Sequence, residues 1–169
     1  MVLHLALLVG NSCLHWACFE DKQLYRTWDT PHFTGTIAPK NWSQQLSQLW
    51  GSRLWRSRQW RSRQWQASGT PENDTPDGDR AWSLGFAPDA LPPLQVASVV
   101  PDQAQYLQTY PNLYWITLRN IPVGNLYPTL GIDRALALWG AGLAFGWPVL
   151  VIDGGTALTL TGGDGRGNG

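Results

Sequence analysis

Two apolar runs, each stopped by a glycine turn, restrict the fold more than any other feature of this sequence. The first is Val2-Leu3-His4-Leu5-Ala6-Leu7-Leu8-Val9, closed by Gly10-Asn11-Ser12. The second is Pro148-Val149-Leu150-Val151-Ile152, closed by Asp153-Gly154-Gly155-Thr156 and followed by alternating Ala-Leu-Thr-Leu-Thr. A near-continuous apolar run of this length reads as a strand buried on both faces. Glycine behind it reads as a tight strand–strand turn. Both stretches therefore predict hairpins. Cys13–Phe19 returns from the first, Glu20-Asp21-Lys22 turns again, and Gln23–Trp28 gives a third antiparallel strand.

After this all-strand start the period changes. Asn41 predicts a helix cap, and Trp42, Leu46, Leu49 and Trp50 fall on one helical stripe. Residues 53–66 then carry the unit WRSRQ in tandem, with tryptophans at 55, 60 and 65. A five-residue period lines up on neither a helix nor a strand face. Residues 67–93 are rich in Ser, Gly, Pro, Asp and Glu, as linkers are. Residues 51–93 are expected to be a low-complexity insertion, largely disordered or loosely packed. Beyond it, strands at 95–100 and 112–118 alternate with helices at 101–110, opened by Pro101, and 132–143. The glycine-rich end TGGDGRGNG is expected to lack order of its own. The alternation makes the class α/β.

The chain has 169 residues, enough for one domain or a domain and part of another. Twelve acidic and twelve basic residues leave no net charge to draw it to nucleic acid or membrane. The apolar start is well short of the ~18 residues of a membrane span and has no basic leader before it, so a cytoplasmic location is expected. Eleven tryptophans exceed what a core of this size needs. Cys13 and Cys18 are the two cysteines, at an odd offset that points them to opposite faces of a strand. With no second Cys or His pair to complete a zinc set, they are expected to be reduced thiols rather than a disulfide or a metal–thiolate site.

The two turns share a chemistry. Neighbouring backbone N–H groups in a glycine turn form an anion-binding concavity, and a hydroxyl adds a donor. A carboxylate beside them repels phosphate unless a cation intervenes, so Asp153 with Thr156 suggests phosphate plus metal. From spacing alone, Asp-Gly-Gly-Thr is equally a plain hairpin turn, and Asp133 equally a helix cap.

Four blocks together carry a resemblance. They are Gly10-Asn11-Ser12 with Leu14-His15-Trp16; Ala97-Ser98-Val99-Val100-Pro101; Tyr127-Pro128 with Leu130-Gly131-Ile132-Asp133-Arg134; and Asp153-Gly154-Gly155-Thr156-Ala157. In this order they resemble type III pantothenate kinases of the actin-like (acetate and sugar kinase) superfamily. The resemblance implies an actin-like, ribonuclease H-like α/β fold. Residues 1–146 would be the first lobe, and residues 147–169 the opening hairpin of a truncated second lobe.

The implied activity is ATP-dependent phosphorylation of pantothenate, the first step of coenzyme A biosynthesis. Asp133 would be the catalytic base. Tyr127, Gly131, Ile132, Asp133 and Arg134 would contact pantothenate, with Gly131 giving the substrate close approach to the backbone. Leu8, Val9, Gly10, Asn11, Ser12, Cys13, Leu14, His15 and Thr156 would line the ATP site. Asp153 would hold a monovalent cation, potassium or ammonium, with magnesium carried by ATP. A homodimer is implied. Leu8 stands where the family has an aspartate, so no carboxylate is available there for magnesium.

Two other functions compete. Five arginines interleaved with tryptophans over residues 53–65 suit nucleic-acid binding, although the acidic tract behind them would compete for those charges. A non-catalytic relative would keep the fold and bind a metabolite or partner.

Overall fold

The computed structural model describes residues 2–51, 91–154 and 157–169. The WRSRQ repeat and nearly all of the expected insertion, residues 52–90, lie outside the described residues, as do Gly155 and Thr156. The order is β1 (Leu3–Val9), β2 (Leu14–Glu20), β3 (Gln23–Thr30), α1 (Trp42–Gly51), β4 (Leu94–Ser98), α2 (Pro101–Leu107), β5 (Leu113–Trp115), α3 (Ile132–Phe145), β6 (Val149–Gly154) and β7 (Leu158–Gly163). Short 3-10 turns precede α1 and follow β5. This is the expected α/β class.

Five strands form one sheet in the order β3-β2-β1-β4-β5. The two pairings on the β3 side are antiparallel, and those of β4 with β1 and β5 are parallel. β1 is central because both of its faces are apolar. Leu5, Leu7 and Val9 point into one core with Trp16, Val96, Trp42 and Leu46 of α1, and Leu107 and Tyr110 of the α2 segment. Leu8, on the other face, joins a second core with Ala97, Val99, and Ile132, Ala135 and Leu138 of α3. The sheet thus lies between α1 and α2 on one side and α3 on the other.

Several buried polar atoms are satisfied within the first core. The Trp16 indole N–H donates to Thr30 Oγ1 at 3.0 Å. Trp42 donates to Thr109 Oγ1 at 2.9 Å, and that hydroxyl donates onward to the Ile37 carbonyl at 2.6 Å. The Tyr110 hydroxyl donates to the Pro92 carbonyl at 2.6 Å, which ties the start of β4 to the end of the α2 segment.

β6 and β7 form a separate two-stranded sheet that packs on α3. Val149 and Val151 face the second core, whereas Leu150, Ile152, Leu158 and Leu160 are exposed. The Trp147 ring occupies the space that a Cβ would need at both Gly142 of α3 and Gly163 of β7. Among the described residues no helix is long and apolar enough to cross a membrane.

Several boundaries differ from expectation, among them β3, which runs to Thr30 rather than Trp28, and β4, which ends at Ser98 rather than 100. β5 ends at Trp115 instead of continuing to 118, because Thr117 donates both its amide and its hydroxyl to Asn120 Oδ1 at 2.8 Å and starts a 3-10 turn. α2 ends at Leu107 rather than 110, and α3 runs two residues past 143 to a positive-φ Gly146. The glycine-rich end, expected to lack order, is built around Asp164. Its carboxylate accepts from the amides of Arg166 and Asn168 and from the Asn168 side chain, and Asn168 bridges to Gly124. One side chain thereby supplies the local bonds that the glycines cannot.

Candidate active site

β1 and β4 run parallel with Val9 opposite Ser98, so the Gly10 turn and the Ser98-Val99-Val100 turn emerge together at one edge of the sheet. The Val99 amide donates to the Val9 carbonyl at 3.0 Å. Ser98 Oγ accepts from the Val100 amide at 3.1 Å and donates to the Val100 carbonyl at 2.9 Å, fixing the turn into α2.

The residues assigned to ATP divide by burial. Val9 and Leu14 are fully buried, and Leu8 packs in the second core. Contact from Val9 or Leu14 with any ligand would come from backbone alone. Asn11, Ser12 and His15 are exposed, and Gly10 and Cys13 half-buried. The Gly10 amide is engaged, donating to the Cys13 carbonyl at 3.0 Å. Its carbonyl accepts from His32 Nε2 at 2.8 Å. The tip residues Asn11 and Ser12, not Gly10, therefore present the turn to solvent. Thr156 lies outside the described residues.

Asp133 stands in the first turn of α3, after Gly131 in extended backbone. Its Oδ1 accepts the Arg134 amide at 2.9 Å and fills the space a Cβ on residue 131 would occupy. The bare backbone at Gly131 makes room for the carboxylate. Asp133 and Arg134 are both half-buried and Ile132 belongs to the core. Tyr127 is exposed, in a turn that the Leu130 amide closes on the Tyr127 carbonyl at 3.0 Å. α3, which carries Asp133, packs through Ile132, Ala135 and Leu138 on the same core that holds Leu8 and Val99.

Asp153 is exposed on β6 opposite Thr159 of β7. The Thr159 hydroxyl is buried with no hydrogen-bond partner among the described residues. Carboxylate and hydroxyl are both oxygen donors, the ligand type that suits a hard cation.

A cluster that the sequence did not lead us to expect lies beside the Gly10 turn. Cys13, His15 and Asp29 bring one ligand atom each to within 4.8 Å of one another. His15 Nδ1 lies 2.8 Å from Asp29 Oδ1, and Cys13 Sγ 3.5 Å from His15 Nε2. Burial, and then the Asp29 charge, push the Cys13 thiol above its ordinary range. The β2–β3 register, which places Asp29 opposite His15, is what joins residues 14 apart. Cys13 and Cys18 are both free, with Cys18 buried on the opposite face.

No family model matches the chain. It is 44% identical over 164 residues to a type III pantothenate kinase from Nostoc sp., covering 97% of this chain and 52% of that protein. A type III pantothenate kinase from Synechocystis sp. is 38% identical over 161 residues, 95% of this chain and 44% of that protein. One from Synechococcus elongatus is 36% identical over 96% of this chain. The chain spans about half the length of the curated relatives it matches. Its mixed sheet and helices match a partial first lobe of the actin-like ATPase fold.

Proposed function

Since the chain belongs with the type III pantothenate kinases over about half their length, we propose that it forms the phosphate-turn and base-bearing part of an enzyme that transfers the γ-phosphoryl group of ATP to the primary hydroxyl of pantothenate. The observation that carries this reading is 44% identity over 164 residues, 97% of the chain. Residues 1–146 form the first lobe, and 147–169 open the second.

Phosphoryl transfer of this kind needs positioning and charge neutralisation more than covalent chemistry. Asn11 and Ser12, at the exposed tip of the β1–β2 turn, donate to phosphate oxygens, with Leu8 to His15 forming their support and Thr156 the matching contact from the other turn. Asp133 takes the proton of the attacking hydroxyl. The room left at Gly131 and the amide of Arg134 hold its carboxylate oxygen in place. Arg134 and Tyr127 orient pantothenate, beside the backbone of Gly131 and Ile132. Asp153 and Thr159 hold potassium or ammonium, which offsets phosphate charge, and magnesium arrives with ATP because position 8 offers no carboxylate. The active form is a homodimer in the cytoplasm.

The test is pantothenate-dependent ADP release by the chain, with and without potassium. Turnover that needs both, and that Asp133→Asn removes, supports the reading. ADP release indifferent to pantothenate, or unchanged in Asp133→Asn, would refute it.

A further inference from the structure

The β1–β2 turn is held from outside its own hairpin. His32 Nε2 donates to the Gly10 carbonyl at 2.8 Å from a position 22 residues further along the chain. The Gly10–Asn11 peptide is trans, since the one cis bond among the described residues precedes Pro148. In a trans peptide the carbonyl and the following amide point in opposite directions from one rigid plane. Fixing the Gly10 carbonyl on His32 therefore aims the Asn11 amide to the opposite side. Asn11 is exposed, and its amide has no hydrogen-bond partner among the described residues. The turn thus presents a donor that is oriented and unused.

His32 is itself fixed. It is half-buried on the segment that leaves β3 after Thr30. Its neighbour Phe33 is buried, with its ring edge-on to Trp16 and Trp42 at centroid distances of 6.4 and 6.1 Å. Gln103 of α2 grips the Phe33 backbone twice. Its Oε1 accepts from the Phe33 amide at 2.8 Å, and its Nε2 donates to the Phe33 carbonyl at 3.3 Å. These are the two bonds that a neighbouring strand would supply. The Gln103 amide donates to the Val100 carbonyl at 3.1 Å, so the same residue closes the helix start beside the Ser98–Val100 turn. A chain of contacts runs from α2 through Phe33 and His32 to the Gly10–Asn11 peptide.

We propose that His32 is a positioning residue for nucleotide phosphate: its Nε2–H holds the Gly10 carbonyl so that the Asn11 amide meets a phosphate oxygen, and Gln103 seats the segment that carries His32. This rests on the reading of the β1–β2 turn as a phosphate turn. The bond is in place before ligand arrives, so the donor needs no reordering on binding. Pantothenate, assigned to α3 and the Tyr127 turn, is outside its reach.

Calorimetric titration of the full chain with magnesium-ATP, inorganic triphosphate and pantothenate in turn tests this. His32→Ala should weaken ATP and triphosphate by about tenfold each, the effect of one orienting hydrogen bond, and leave pantothenate affinity unchanged. His32→Gln, whose side-chain amide also donates, should restore most of both. Gln103→Ala should act in the same direction by a smaller factor. Unchanged ATP and triphosphate affinities in His32→Ala, or a His32→Gln variant as weak as alanine, would overturn the inference and leave the kinase reading standing. So would pantothenate weakened in step with ATP, the mark of a purely structural role. An unsubstituted chain that binds neither ATP nor triphosphate would refute the phosphate-turn reading, and the inference with it.

Discussion

Val9 and Val99 are joined across the ends of two parallel strands: the amide of one donates to the carbonyl of the other at 3.0 Å. That bond sets the Gly10 turn beside the turn leading into α2, although some ninety residues of chain separate them. The exposed tip, Asn11-Ser12, and the α3 carboxylate at Asp133 are then carried by elements packed on a common core.

Gly131 is predicted to matter through Asp133. In Gly131→Ala the new methyl group would occupy the position of Asp133 Oδ1, so the carboxylate must move. Pantothenate-dependent turnover should fall 10²-fold or more, on the order of what a displaced general base costs, while the melting temperature changes by only a few degrees. Steady-state kinetics alongside thermal melts would check it. Equal losses of activity and stability would mean that the glycine serves folding alone.

Gly142→Ala is predicted to destabilise the chain although alanine is the better helix former. The exchange gains about 1 kcal/mol of propensity in α3 but drives a methyl group into the Trp147 ring. Overpacking of this kind costs about 1–3 kcal/mol. Gly163→Ala meets the same ring from β7. Chemical denaturation of Gly142→Ala, Gly163→Ala and the double variant should show less than additive losses, because one displaced ring relieves both contacts.

Stability is predicted to decline at alkaline pH through Cys18. Burial, helped by Glu20, pushes its thiol up to about 11. Below about pH 9 the thiol is protonated in both folded and unfolded chains, and its contribution is complete. Between there and pH 11 the unfolded thiol ionises and the folded one does not, so about 2 kcal/mol is lost as pH rises. Burial raises the Tyr110 phenol as well, which acts in the same direction. Urea midpoints from pH 8 to 11 should fall, and Cys18→Ala should flatten the first part of the decline.

The glycine-rich end is predicted to detach in acid. Hydrogen bonds from Asn168 and Arg166 hold the Asp164 carboxyl below its usual range. Its contribution is therefore present above the ordinary carboxylate value and disappears as pH falls through the depressed one. Amide exchange at Gly167 and Gly169 should accelerate over that interval. Asp164→Ala should give the same fast exchange at neutral pH, with β1 to β5 unaffected.

The strands were readable in the sequence where apolar pattern and glycine punctuation agreed. β1, β2, β3 and the β6–β7 hairpin came from such runs, and α1 from the Trp42–Leu46–Leu49 stripe. Local side-chain bonding escaped that reading: the Thr117–Asn120 pair shortened β5, and Asp164 ordered a tail whose composition suggests none. Asp133 was legible as a candidate base, but the fold of its carboxylate onto Gly131 was not, since no pattern reports where a carboxylate folds back. The Cys13–His15–Asp29 cluster depends on β2–β3 register, and the sequence offered only a Cys-x-His spacing as its signal.

The central position of β1 bears on how the molecule assembles as it is made. Its antiparallel neighbour β2, and β3 beyond it, follow within thirty residues, whereas its parallel partner β4 emerges roughly 90 residues after β1, and contacts that distant form slowly. A nascent chain can therefore shape the β1–β2–β3 ribbon early, with the apolar flank of β1 waiting for a strand not yet synthesised.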